Sequence, residues 1–525
     1  MTTAQPDPND SANTTWRALL SDPALLVGVD ALGLKVPTTI QRKAIPAIRN
    51  QGDVAFVAQT GSGKTLAYLL PLLERLRNQP PTRPSGSPYA LIIVPNQPLV
   101  WQISAVVHRL ARLTGIPLQP ATDLHQVPIK PTATAAPFVL IVTPEGLPAG
   151  SPRQVRQLGQ RLETTQYVVV DELDICLGGS FEAKSTMQLL WILTRSVPGH
   201  ATAPRTWKYV VAENAWSPNA PPLCSLACPT RCQFVFCGAT LSPKTSKTSV
   251  RAYLRQGFPT AQLLVNNDAF CIAPQTTEVL VQQPPARPGW DKAAYIAQVV
   301  DAVVQRLNNH GVYWPQQSTV IVFAKNSANA TAYYRTFTAT VRASPPAAEG
   351  AVGIATTLYV KSLDADEKAD ILHRMSTVSP TSGSLKRDQR PLVTVVFTAN
   401  SLHRGMDLPC VRSIVLADFV QNIGQYIHCA GRTARAGQAG EVVSVVPNMD
   451  HRIVQALVQC NSPYTIDSLD EYVRLPGQPC TTPKRSLEPF LGASSTKPAQ
   501  QVPSNALLNH ASATPTADPK RTESI

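Results

Sequence analysis

The clearest chemistry in this chain sits in Ala58-Gln59-Thr60-Gly61-Ser62-Gly63-Lys64-Thr65. The apolar run Val54 to Val57 precedes it and the helix-patterned stretch Leu66 to Leu76 follows, so a strand, a tight loop and a helix are expected in that order. Gly61 and Gly63 let backbone N–H groups close around phosphate oxygens at the head of a helix. Lys64 brings a positive charge to the β and γ oxygens, and the Thr65 hydroxyl is a ligand for Mg2+. Thr60 and Ser62 complete a nucleoside-triphosphate cradle, although Ala58 stands where the usual pattern begins with glycine. Downstream, Tyr167-Val168-Val169-Val170 ends in Asp171-Glu172-Leu173-Asp174, which reads as a buried strand delivering carboxylates to a sheet edge. Beside a triphosphate, Asp171 would orient Mg2+ and Glu172 would polarise the water that attacks the γ-phosphate. The same acids alone would read as a solvated turn; the phosphate loop upstream favours the catalytic role.

Holding these groups takes more than one domain, and 525 residues suffice for two or three. Short apolar runs recur at Val54 to Val57, Leu91 to Val94, Phe138 to Val142, Val168 to Val170 and Phe234 to Phe236, with helix-patterned segments between them. A second series follows at Val320 to Phe323, Thr357 to Val360, Val393 to Phe397, Ile414 to Leu416 and Val442 to Val446. Such alternation predicts an α/β fold, each series forming a parallel sheet with helices on both faces. The expected division is a disordered N-terminus over 1–15, an ATP-binding lobe over 16–265, a linker over 266–290, a second lobe over 291–475 and a disordered tail over 476–525. Residues 195–231 and 376–390 read as surface insertions. The first holds a C-x3-C-x3-C run, Cys224, Cys228 and Cys232, whose spacing departs from the usual zinc knuckle and reads first as unligated thiols, with zinc second.

A net charge of +13 suits a polyanionic partner, because Lys and Arg gain affinity from phosphates by releasing counterions. Ten cysteines without disulfide-like spacing point to a reducing compartment, and no apolar run approaches the roughly 20 residues needed to span a bilayer. The expected location is intracellular, nuclear, nucleolar or cytoplasmic. The first fifteen residues contain Asp7 and Asp10 and no Lys or Arg, which disfavours a mitochondrial presequence while leaving the matrix open.

With these motifs placed, the chain resembles the DEAD-box ATP-dependent RNA helicases of superfamily 2, from Trp16 to about Val446. Pro37-Thr38-Thr39-Ile40-Gln41 is similar to the adenine-reading Q motif, with Trp16 where the family keeps an upstream aromatic. Asp171-Glu172-Leu173-Asp174 resembles the name-giving tetrapeptide with Leu for Ala, and Gly238-Ala239-Thr240 the Ser-Ala-Thr motif without its Ser. Arg404-Gly405-Met406-Asp407 resembles motif V, and His428-Cys429-Ala430-Gly431-Arg432-Thr433-Ala434-Arg435 motif VI. The resemblance implies two RecA-like lobes closing over ATP, Mg2+ and RNA. It places Gln41 and Trp16 at the adenine, Asp407 at the ribose, and Arg432 and Arg435 as fingers on the γ-phosphate. Thr143, Pro144, Arg404 and Gly405 fall at RNA, and Asp174, Thr240 and His428 at coupling between the lobes.

The RNA motifs depart from the family pattern. Pro95-Asn96-Gln97-Pro98-Leu99 stands for Pro-Thr-Arg-Glu-Leu, Thr143-Pro144-Glu145-Gly146 for Thr-Pro-Gly-Arg, Ala399-Asn400 for Thr-Asp, and Cys429 replaces the first Arg of motif VI. Ala365 and Lys368 stand where the family has Gln and Arg. The expectation is an ATP-dependent RNA helicase or ribonucleoprotein-remodelling ATPase with ribonucleoprotein protein partners, holding single-stranded or short duplex RNA largely by its backbone, with low sequence specificity and more weakly than the family norm. The alternative is a catalytically weak pseudo-helicase scaffold within a ribonucleoprotein or ribosome-assembly complex. Compensating basic residues are expected in the insertions and tail, among them Arg205, Lys208, Lys386, Arg387, Lys484 and Arg485.

Overall fold

The computed structural model describes residues 15–78, 88–123, 138–144, 165–177, 232–241, 250–266, 270–309, 317–343, 353–360, 362–364, 392–399, 411–420, 422–435, 438–476 and 484–487, with isolated positions between them. The apolar runs fold as strands. In the first lobe these are β1 (Val54–Val57), β2 (Ala90–Ile93), β3 (Gln119–Ala121), β4 (Phe138–Val142), β5 (Tyr167–Val170), β6 (Gln233–Gly238) and β7 (Gln262–Val265), all parallel, in the order β3-β4-β2-β5-β6-β1-β7. The second lobe has β8 (Thr276–Gln282), β9 (Gln317–Ala324), β10 (Gly353–Tyr359), β11 (Leu392–Ala399), β12 (Val411–Leu416), β13 (Gly440–Val446) and β14 (Tyr464–Ile466), in the order β10-β11-β9-β12-β13-β8-β14. Counted from one to seven within each lobe, the two orders are identical, so one architecture is built twice.

Parallel pairing forces a crossover after every strand, and the crossovers cover both faces of each sheet. That is why β1, β2 and β5 are buried along their whole length and read as continuous apolar runs. The helix Lys64–Asn78 packs against β6 and the helix Thr39–Arg49, burying Ala67, Tyr68, Leu69, Leu70, Leu72 and Leu73. In such sheets ligands gather beyond the carboxyl ends of the strands. The loop after β1, the acids after β5 and Gly238-Ala239-Thr240 at the end of β6 all lie there. Among the described residues no helix is long and apolar enough to cross a membrane.

Two sequence expectations need correction. The segment read as the linker 266–290 contains β8, which lies inside the second sheet between β13 and β14. Its pattern was masked by Glu278, a charge in the middle of a strand that is nevertheless buried and paired with Lys484. Lys484 lies in the segment read as a disordered tail, yet residues 484–487 dock on the second lobe. Leu487 is fully buried and donates its N–H to the Phe270 carbonyl at 3.2 Å, and Arg485 donates its N–H to the Cys460 carbonyl at 3.1 Å. The insertions 195–231 and 376–390, with Cys224 and Cys228, lie outside the described residues. Cys232 is partly buried, and no metal-binding group among the described residues includes it.

Candidate functional site

The loop after β1 depends on its glycines. Gly61 and Gly63 have φ of +80° and +86°, a left-handed backbone that L side chains rarely adopt. A Cβ on Gly63 would also come within 2.3 Å of Gln41 Nε2. Gln41 is held close because Thr38 and Gln41 form a capping box at the head of the helix Thr39–Arg49. The Thr38 N–H donates to Gln41 Oε1 at 2.8 Å, Gln41 Nε2 donates to the Gly63 carbonyl at 3.2 Å, and the Thr38 hydroxyl donates to the Ser62 carbonyl at 2.7 Å. The amide keeps a second N–H and a second lone pair, which suffice for an adenine edge. Lys64 is buried, and its ammonium donates to the Ala58 and Gln59 carbonyls at 3.0 and 3.1 Å, so the charge lies over the loop. Replacing Lys64 with Ala removes a charge-assisted contact to phosphate worth about 1.5–3 kcal/mol, so ATP should bind roughly 10- to 100-fold more weakly in a titration with labelled nucleotide. Parent-like binding by Lys64→Ala would remove the phosphates from this loop.

Asp171, just past β5, is buried, and three donors fix its carboxylate: Tyr68 OH on Oδ2 at 3.0 Å, with the Glu172 N–H at 2.8 Å and Cys237 Sγ at 3.1 Å on Oδ1. Burial and the neighbouring Glu172 push the Asp171 carboxyl above the ordinary range, against the pull of Lys64. Burial and the nearby Asp171 likewise hold the Tyr68 phenol well above its usual range, so it stays a donor, with Thr65 beside it. The two residues expected to hold Mg2+, Thr65 and Asp171, thus share Tyr68 as a neighbour. Two crowded, buried carboxylates next to a hydroxyl form the oxygen-rich, negative setting that suits a hard divalent cation bound through one or two carboxylates and substrate phosphates. The side-chain oxygens of Thr60 and Ser62, and Glu172 Oε2, are buried with no hydrogen-bond partner among the described residues. Glu172 itself has φ +50° and ψ +51°, an uncommon conformation for a residue with a side chain and one that concentrates at functional sites.

The second lobe completes the site from above. The helix Ile423–Ala430, capped by Asn422, carries His428 to the lobe interface. Its Nε2 lies 2.7 Å from Asp174 Oδ2, which also accepts from the Thr240 hydroxyl at 3.0 Å, while Nδ1 is 3.8 Å from Glu172 Oε2. Asp174, Thr240 and His428 therefore meet across the lobe boundary. The turn that follows brings Gly431 against Thr60, where an added Cβ would fall 2.9 Å from Thr60 Cβ, and brings the Arg435 stem within 3.5 Å of the Cβ position of Gly61. Arg435 Nε donates to the Gly431 carbonyl at 3.0 Å, and buried Arg432 donates from Nε to the His428 carbonyl at 3.2 Å.

Of the remaining expected site residues, Trp16, Thr143 and Pro144 are among those described. Trp16 is buried in the first-lobe core, 7% exposed, with its indole N–H on the Leu34 carbonyl at 2.8 Å. Thr143 and Pro144 follow β4, half-buried and buried respectively. Arg404, Gly405 and Asp407 lie outside the described residues. The sequence reading missed Tyr68 and Cys237. Their signal was positional: Tyr68 is four residues after Lys64 on one helix face, and Cys237 directly precedes Gly238-Ala239-Thr240.

The model of the DEAD/DEAH box helicase family matches residues 38–247, and that of the helicase conserved C-terminal domain matches residues 315–437, together more than half of the chain. The chain belongs to the DEAD-box helicase family. It is similar to the ATP-dependent rRNA helicase RRP3 of Eremothecium gossypii, 26% identical over 86% of this chain and 74% of that protein. The probable ATP-dependent RNA helicase DDX28 of Homo sapiens is 25% identical over 80% of this chain and 68% of its own length. Mss116p, solved with ssRNA and AMP-PNP, shares the fold with a TM-score of 0.63 at 17% identity, covering 89% of this chain and 82% of that one. The two family matches fall on the two duplicated lobes, and β8, β14 and residues 484–487 lie outside both.

Proposed function

We propose that the chain is an ATP-dependent RNA helicase that remodels structured RNA in ribonucleoprotein particles, by closing its two lobes jointly on ATP and RNA. The observation that carries this reading is the junction of His428 with Asp174, beside Thr240 and Glu172. A side chain from the second lobe there touches the acidic motif of the first. In the proposed cycle the loop over Thr60 to Thr65 binds the phosphates, Lys64 neutralises the β and γ oxygens, and Gln41 reads the adenine. Mg2+, held by Asp171 and the Thr65 hydroxyl, would neutralise charge on the phosphate oxygens. Glu172 takes the proton of the attacking water. Arg432 and Arg435 sit on the lobe that swings in, so the stabilising charge arrives only on closure, and His428, Asp174 and Thr240 link closure to hydrolysis.

RNA would lie along the strand ends of both lobes, with Thr143, Pro144, Arg404 and Gly405 contacting its backbone. Weaker holding than the family norm follows from the head of the helix Gln97–Thr114. Asn96 Oδ1 accepts the Leu99 N–H at 3.1 Å, and Pro98 has no N–H, so two leading donors are withdrawn from any phosphate there. Because a relative is named as an rRNA helicase, ribosomal RNA in assembling particles is the proposed substrate, with protein partners on those particles and a nucleolar or organellar site of action.

Steady-state ATP hydrolysis, measured with and without a panel of RNAs, tests this. Stimulation of at least severalfold is expected from structured RNA. ATP binding with no turnover under any RNA would instead assign a scaffold, the reading favoured by the buried Cys429 where the family has an arginine.

A further inference from the structure

Behind the helix that carries His428 lies a buried polar hub that the cycle above does not use. Glu278, in β8, is 3% exposed and takes partners from three other parts of the second lobe. Tyr426 OH donates to its Oε1 at 2.6 Å, Asn461 Nδ2 reaches the same oxygen at 3.4 Å, and the Lys484 ammonium pairs with Oε2. The Lys484 and Glu278 side chains are 3% and 1% exposed, so the pair is sealed from water. Tyr426 and His428 are two residues apart on one helix, about 200° around its axis at 3.6 residues per turn, and so face opposite ways. The front of the helix meets Asp174 and Glu172 in the first lobe, and its back rests on Glu278. Residues 484–487 close the hub from outside, and through the Leu487 N–H on the Phe270 carbonyl they also hold the connector between the lobes.

We infer that Lys484 is a positioning residue for ATP hydrolysis: the segment 484–487 clasps Glu278 and Tyr426, and thereby sets the helix that aims His428, Arg432 and Arg435 at the first lobe. The inference rests on the proposed cycle. The chemistry is asymmetric. Without Lys484, Glu278 is a buried carboxylate supported by neutral donors alone, so it draws water or rotates, and Tyr426 moves with it. Losing the pair as a whole leaves no such charge. Glu278→Gln with Lys484→Met should therefore be milder than Lys484→Met alone.

The test uses the full chain carrying Lys484→Met, Lys484→Arg, or Lys484→Met with Glu278→Gln, each first checked for a parent-like thermal midpoint. RNA-stimulated ATP hydrolysis is measured together with lobe separation, read by energy transfer between dyes on exposed sites of each lobe in AMP-PNP and RNA. Lys484→Met is expected to lower kcat about tenfold and the closed fraction with it, while KM for ATP stays within about twofold. Lys484→Arg should keep most of the parent kcat, and the double variant should recover part of it. Parent-like kcat and closure in a folded Lys484→Met variant would overturn the clasp, as would kcat and KM collapsing together with the midpoint. A drop of about one in the salt slope of RNA affinity, with kcat retained, would return Lys484 to the phosphate-binding role expected from sequence. A parent chain that hydrolyses no ATP would refute the proposed function instead, and the lobe separation in AMP-PNP would still report on the clasp.

Discussion

Glu172→Gln should bind ATP like the parent chain, hydrolyse it about 10²- to 10⁴-fold more slowly, and accumulate with its lobes closed on RNA. The glutamine is isosteric, so it fits the left-handed backbone at φ +50° and leaves the Glu172 N–H on Asp171 Oδ1 undisturbed. What it loses is the carboxylate whose Oε2 is buried, without a hydrogen-bond partner among the described residues and 3.8 Å from His428 Nδ1. Binding contacts survive while the proton acceptor is gone, which is the condition for a trapped closed state. Single-turnover hydrolysis and an RNA release assay on the same sample check both halves. Unchanged turnover would exclude Glu172 as the base.

Arg432→Lys is expected to cost about 10³-fold or more in kcat, with little change in ATP affinity. A delocalised guanidinium can spread two donors over the equatorial oxygens of the γ-phosphate, whereas an ammonium is a point charge on a flexible stem. Arg432 is pre-set for this, being 3% exposed and oriented through Nε by the His428 carbonyl. Arg435→Lys should behave similarly, since the Arg435 stem lies against Gly61. The double variant should lose less than the product of the single effects, because both act on one transition state. Quenched-flow hydrolysis separates this from a binding defect. A rise in KM with unchanged kcat would place the arginines at ground-state binding alone.

How much the sequence disclosed depended on where charge and exposure fell. The fold class was legible because buried parallel strands appear as uninterrupted apolar runs, and five strands of each lobe were read that way. The strands that escaped were β3, β7 and β14 at sheet edges, and β8. Edge strands need bury only one flank; Gln119–Ala121 carries a proline and Gln262 is exposed. In β8 a central strand hides behind Glu278, whose charge is compensated by Lys484, over two hundred residues later. No local pattern contains that pairing, which is also why residues 484–487 passed for polar tail and Lys484 for an RNA ligand. At the site, the loop glycines and the acids after β5 were readable, since a left-handed backbone at Gly61 and Gly63 restricts residue type and acids at the end of an apolar strand stand out by their charge. The donors behind them, Tyr68 and Cys237, were not, because any residue that fits the core could stand there.

The most direct test of joint closure on ATP and RNA is the affinity of the full chain for a fluorescent single-stranded RNA, measured at fixed salt with AMP-PNP and Mg2+ and again without nucleotide. His428 on Asp174 and Arg435 beside Gly61 bring the second lobe onto the nucleotide loop and acidic motif of the first, and in the proposed cycle the same closure brings the RNA-facing strand ends together. RNA should then bind at least several-fold more tightly with AMP-PNP, and the gain should vanish in Lys64→Ala. Equal affinity in both conditions would contradict coupling between the two sites.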